Sequence, residues 1–112
     1  MLNINTKQIG NASVVCIKGK INFEVTSQLR ETIKKTIAEQ IPKILVINLE
    51  GVTFIDSSGL GLLVAAKSTV DKSQGRLHLC GLPPPVKKLF DQTNLTNYFP
   101  IFACEEDALR GA

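Results

Sequence analysis

Two adjacent hydroxyls, Ser57 and Ser58, follow directly on a carboxylate, Asp56, and precede two glycines, Gly59 and Gly61, in the run GVTFIDSSGLGLL at residues 51–63. A strand-like apolar run leads into this segment and a helix-like apolar run leaves it. Strand, sharp loop and helix is the arrangement that exposes functional groups at the carboxyl end of a sheet. The first turn of such a helix has free backbone N–H groups and the positive end of the helix dipole. An anion on Ser57 or Ser58 is therefore stabilised there, and a phosphate ester is the obvious one. Helix capping is the plainer role for a serine at this place.

The glycines need a reason of their own, because each costs a helix about 1 kcal/mol relative to alanine. One reason is internal: the helix start lies tight against the sheet. The other is external: a partner or a kinase needs close access to a serine. Taken alone, the residues lean towards the internal reason.

Enzymatic arrangements find little support. A phosphate-binding loop requires GxxxxGK followed by Ser or Thr, and Lys67 is too far along the helix to serve. A dinucleotide fingerprint needs three glycines at longer spacing and an acid ending the next strand. A serine hydrolase needs a base. There is no GxSxG, and the only histidine, His78, lies in the strand-like run RLHLC, where it is expected to point outward. Glu105, Glu106 and Asp107 stand at a terminal helix start, where the dipole alone favours acids. The three cysteines, Cys16, Cys80 and Cys104, show no CxxC or zinc spacing and are expected to be buried free thiols in a reducing cytoplasm. No catalytic residue, metal or cofactor is expected.

These groups must be held by a fold, and the chain of 112 residues suits one domain, 1–112. The apolar fraction is 44% with no Trp and a single Tyr, Tyr98, so the core is expected to be aliphatic. A net charge of +3 is too weak, and its lysines too scattered, to suggest nucleic acid; Lys34-Lys35 and Lys87-Lys88 are expected on solvated helix faces. No apolar run reaches the roughly 18 residues that span a bilayer. Residues 1–10 alternate apolar and polar, unlike a secretory leader.

LNINTKQI and ASVVCIKG read as two strands joined by a hairpin turn at Gly10-Asn11. Val25, Leu29, Ile33 and Ile37 then recur every four residues, which predicts an amphipathic helix over 24–39. KILVINLEG is apolar nearly throughout and fits a central strand buried on both faces. GLGLLVAAKSTVDKSQG predicts a well-buried helix, RLHLCGL a short strand and PVKKLFDQT a short helix. YFPIF reads as a weak edge strand and CEEDALRG as a closing helix. The order β-β-α-β-α-β-α-β-α predicts a single α/β domain, with a mixed sheet of about four to five strands, an initial hairpin and about four helices.

With the elements in place, FIDSSGLGLL closely resembles the signature of anti-sigma factor antagonists of the STAS domain family. VVCIKGKINFEVTSQLRETI resembles that family's second strand and first helix, and HLCGLPPPVKKLFDQTNLTNYFPIFACEEDAL its final third. The likeness spans nearly the whole chain, and DSSGLG is specific for the phosphorylatable members. The resemblance implies a switch in the bacterial cytoplasm. An unphosphorylated antagonist binds an anti-sigma factor that is also a serine kinase, and the sigma factor is released. The kinase then phosphorylates the second serine of the motif, which is Ser58 here, with Ser57 the lesser choice. A serine phosphatase acting on phospho-Ser58 resets it. Asn22, Asp56, Ser57, Ser58, Gly59, Leu60 and Gly61 are the implied partner-binding residues, on a monomer or weak dimer. The resemblance also shifts the glycines towards the external reason. STAS domains serve partner-switching pathways without a sigma factor too, which is the alternative. One position departs from the pattern: the family commonly has Asp where GKIN places Asn22. That change is expected either to alter partner contact or to supply a neutral cap.

Overall fold

Alternation of apolar and polar residues at the start of the chain produces a hairpin. In the computed structural model, which describes residues 2–111, β1 (Asn3–Ile9) pairs antiparallel with β2 (Ala12–Ile21). Gly10 turns the chain at φ 59°, a left-handed conformation that glycine adopts without steric cost. The remaining strands are β3 (Ile44–Ile55), β4 (Arg76–Cys80) and β5 (Ile101–Phe102). They continue in parallel from β2, so the five-stranded sheet runs β1-β2-β3-β4-β5. Four helices connect and cover it: α1 (Thr26–Gln40), α2 (Ser57–Lys72), α3 (Pro84–Gln92) and α4 (Glu105–Arg110). This is the mixed-sheet α/β domain expected from the element order. The expected span 1–112 includes Met1 and Ala112, which lie outside the described residues.

Both faces of the central strand are covered, as its unbroken apolar run requires. Leu45 and Ile47 point into the main core, with Leu29 and Ile33 of α1, Leu63 and Val70 of α2, and Phe90 of α3. Val46, between them in sequence, packs on the opposite face with Val14, Cys80 and Ala108 of α4. The core is mainly aliphatic, with the Phe90 and Phe99 rings meeting at 5.8 Å and tilted by 57°.

Several local features differ from expectation. The outward-pointing His78 is instead buried, 2% exposed, beneath α4. Its Nδ1 lies 2.8 Å from the Ala108 carbonyl, which requires a proton on that nitrogen, and its ring meets Phe102 at 4.8 Å. The second layer of helix makes this strand face an interior. Cys80 is buried as expected, but Cys16 is only partly so and Cys104 is exposed at the start of α4. The edge strand shrinks to Ile101–Phe102, because Pro100 has no N–H to give; its carbonyl instead accepts from Leu79 N–H at 2.9 Å.

β3 is longer than its apolar run suggests. It continues through Gly51 to Ile55, paired with β2 as far as Ile21↔Ile55, whereas its pairing with β4 stops at Asn48↔Cys80. The register of the pair shifts by one residue between Cys16 and Lys18 and again between Gly19 and Lys20, where β3 carries the extra residue each time. Gly51 is required by close approach: a Cβ there would sit 2.6 Å from Lys18 Cγ. β3 beyond Asn48, residues 49–55, is therefore paired with β2 alone, and Asp56 is at the tip of this two-stranded extension.

Candidate functional site

Asp56 follows β3 in extended conformation (φ −103°) and caps α2. One carboxylate oxygen, Oδ1, accepts from the Gly59 N–H at 3.0 Å and from the Ser58 hydroxyl at 2.5 Å. The other, Oδ2, accepts from the Phe23 N–H at 3.0 Å, 33 positions away in sequence. The backbone of Asp56 is engaged as well: its N–H donates to Ile21 and its carbonyl accepts from Leu60 N–H. One residue thus ties β2, the segment after it and the start of α2 together. The donated Ser58 hydroxyl, and after it the Gly59 N–H, hold the Asp56 carboxyl below the usual carboxylate range.

The helix begins two residues before the predicted apolar run, at Ser57, because Asp56 supplies the cap. Both serines and both glycines are therefore helical. Ser57 is exposed on the first turn, and Ser58 is half-buried with its hydroxyl fixed on Asp56. A group attached at either position would lie beside first-turn N–H groups that lack carbonyl partners within the helix.

The two glycines have different reasons. Gly59 is buried, and a Cβ there would lie 2.7 Å from Ile55 Cγ1 and 2.8 Å from Ile21 Cγ2. Gly61 is exposed, and a Cβ there would meet nothing within 4 Å. Packing accounts for Gly59 and leaves Gly61 unexplained by the interior. Gly61→Ala is accordingly expected to stabilise the domain by about 0.5–1 kcal/mol, read as a higher urea midpoint with unchanged slope.

Asn22 precedes a 3-10 turn (Phe23–Val25) that leads into α1, so α1 proper starts at Thr26, two residues later than its apolar period implies. The Asn22 Oδ1 accepts from Glu24 N–H at 3.0 Å, the capping role available to asparagine. Through Asp56 this turn is fastened to the start of α2. Leu60 is buried, 6% exposed, and belongs to the main core. Among the expected site residues, Ser57 and Gly61 face solvent, Asn22, Asp56 and Ser58 are partly exposed, and Gly59 and Leu60 face inward.

Two exposed aromatics beside this site escaped the sequence reading. Phe23, 78% exposed, follows Asn22, and Phe54, 48% exposed, lies two residues before Asp56. Phe23 stands outside the Val25, Leu29, Ile33, Ile37 series, and that break of phase was the available signal. Phe54 gave none, because the extension of β3 beyond Gly51 was not visible. Next to Phe54, a cavity of about 330 Å³ opens between the end of β3 and α3, lined by Ile55, Pro85, Val86 and Leu89 among others.

On the opposite face, Glu105 of α4 pairs with Lys7 at 2.7 Å and accepts from Asn48 Nδ2 at 3.1 Å and from the Cys16 thiol at 3.6 Å. Burial pushes the Cys80 thiol up to about 12, and burial with the nearby Glu105 carboxylate raises Cys16. These thiols are structural in character. Among the described residues no three His, Cys, Asp or Glu side chains gather as a metal site.

The model of the STAS domain matches residues 3–108. The anti-sigma-B factor antagonist of Bacillus subtilis is 35% identical over 109 residues, covering 97% of this chain and 98% of its own. A crystal structure of an anti-sigma factor antagonist from Mycobacterium paratuberculosis superposes with a TM-score of 0.90 at 27% identity, over 99% of this chain and 93% of that one. The anti-sigma factor antagonist SpoIIAA in its unphosphorylated form gives a TM-score of 0.81 at 25% identity, over 98% of each chain.

Proposed function

The chain belongs to the STAS domain family, and from that premise we propose that it is an anti-sigma factor antagonist switched by phosphorylation of Ser58. Unphosphorylated, it binds an anti-sigma factor that is also a serine kinase, and the sigma factor is released. Phosphorylated, it lets go, and a serine phosphatase restores the binding form. It acts by binding rather than catalysis, in the bacterial cytoplasm. Among the described residues no helix is long and apolar enough to cross a membrane.

The observation that carries this reading is the Ser58 hydroxyl, held by Asp56 in the first turn of α2 at the rim of the sheet. Ser57 is the more exposed of the pair, but Ser58 is the one whose hydroxyl the carboxylate orients. A phosphate there adds about 1.5 to 2 negative charges to a surface flanked by Phe23 and Phe54. Apolar side chains at the rim suit a partner that desolvates the site, and a dianion opposes that desolvation. Asn22, Ser57 and Gly61 complete the contact surface, with Gly61 kept bare so that the partner's backbone can approach.

Incubation with its partner kinase and ATP is expected to add one phosphate, located on Ser58 by phosphopeptide mass spectrometry. Phosphate on Ser57 alone would move the site. No phosphate with a kinase that demonstrably binds the chain would defeat the switch.

A further inference from the structure

We infer that the groove between α1 and α2 is a second contact for the same partner, fitted to an acidic amphipathic helix. The inference rests on the proposed docking of a partner at the start of α2. The groove has a volume of about 180 Å³. Its floor is Ile33, Ile37, Leu62 and Ala66, and its rim carries Arg30 and Lys34 on one side and Ala65 and Thr69 on the other.

Size and shape point to a protein segment. Small-molecule sites are typically larger, roughly 300–1,000 Å³, and enclose most of the ligand. This groove has room for one large apolar side chain and lies open along the helices. That is the geometry in which an amphipathic helix is read through an anchor residue. Charge selects among such helices. The lining contains two cations and no acid, and the cations are one helical turn apart on α1. Among the described residues neither Arg30 nor Lys34 forms an ion pair, whereas Lys67 of α2 is turned away, bonded to Asp71 at 2.8 Å and set over the Tyr98 ring. Two acids one turn apart on a partner helix would match Arg30 and Lys34. The surface is also continuous with the switch: Leu62 follows Ser58 by one turn of α2, and exposed Gly61 lies between them.

The test uses the labelled full chain, followed by NMR, with a synthetic acidic amphipathic helix and its Lys-substituted counterpart as probes. The acidic peptide is expected to shift the amides of Arg30, Lys34, Ala65 and Thr69, and the basic one to leave them in place. Arg30→Gln with Lys34→Gln should weaken acidic-peptide binding about tenfold and remove its salt dependence. Ala65→Trp, which fills the groove from an exposed position, should abolish binding while the melting temperature is kept. Peptide binding is read without the kinase and phosphorylation of Ser58 without the peptide, so failure of the groove and failure of the switch read out separately. Equal binding of both peptides, shifts confined to other surfaces, or displacement of the peptide by decanoate would overturn the inference. So would loss of self-association in Ala65→Trp, which would make the groove a contact between two copies of this chain.

Discussion

Ser58→Asp is expected to lower affinity for the anti-sigma kinase about 100-fold, and Ser58→Ala to keep full affinity while accepting no phosphate. The magnitude follows from the cost of a mismatched charge. A like or unpaired charge at an interface costs several kcal/mol, and about 2.8 kcal/mol is a factor of 100. The domain itself should hardly notice. The new carboxylate is favoured by the α2 N-terminus and disfavoured by Asp56, which loses the Ser58 hydroxyl that it accepts in the unmodified chain. These effects oppose each other at an exposed helix end. Binding by calorimetry and melting by differential scanning should therefore separate: a large loss in one and little change in the other. Equal affinities for the Asp and Ala variants would remove the electrostatic basis of the switch. A fall in affinity accompanied by an equal fall in stability would make it a folding effect.

The second large effect belongs to the interior of the same helix turn. Gly59→Val should destabilise the domain by about 3 kcal/mol, the upper end for overpacking a core. The Cβ alone would intrude on Ile55 and Ile21, which form the last pair of the β2–β3 ladder, and two further methyls have nowhere to go. For a domain of this size that corresponds to a fall of roughly 10–20 °C in melting temperature. Gly59→Ala should be milder, since the gain in helix propensity offsets part of the clash. The sign is opposite to that expected at Gly61, two residues on. An unaltered melting curve for Gly59→Val would show that the α2 start can lift off the sheet.

What was readable from the residues divides along physical lines. Binary patterning exposed the elements whose partners are generic: the hairpin, α1 and the two-faced central strand all follow from periodicity. The run at 51–63 stood out because it breaks local rules, with glycines where a helix disfavours them, and such breaks collect at functional sites. Tertiary information was not readable. The difference between Gly59 and Gly61 depends on Ile21, which lies in another strand. The burial of His78 depends on α4, and Phe54 became visible only once β3 was seen to extend beyond its apolar run. The two readings of the Asn22 departure could be separated only in the fold, for the same reason. In sequence it is either a missing carboxylate or a neutral cap; in the fold it caps a turn that Asp56 already fastens with a carboxylate of its own.

The unequal reach of the ladders around β3 divides the domain into a mount and an arm. Pairing with β4 stops at Asn48, while pairing with β2 runs on to Ile55. The turn at Asp56–Ser58 is therefore carried beyond the main sheet on two strands, secured at its tip by Asp56. Changes in β4, β5 or α4 alter the mount without touching any ladder bond of the arm. A lineage of such domains is free to diverge in β4, β5 and α4 while the arm, and whatever reads its tip, stays in alignment.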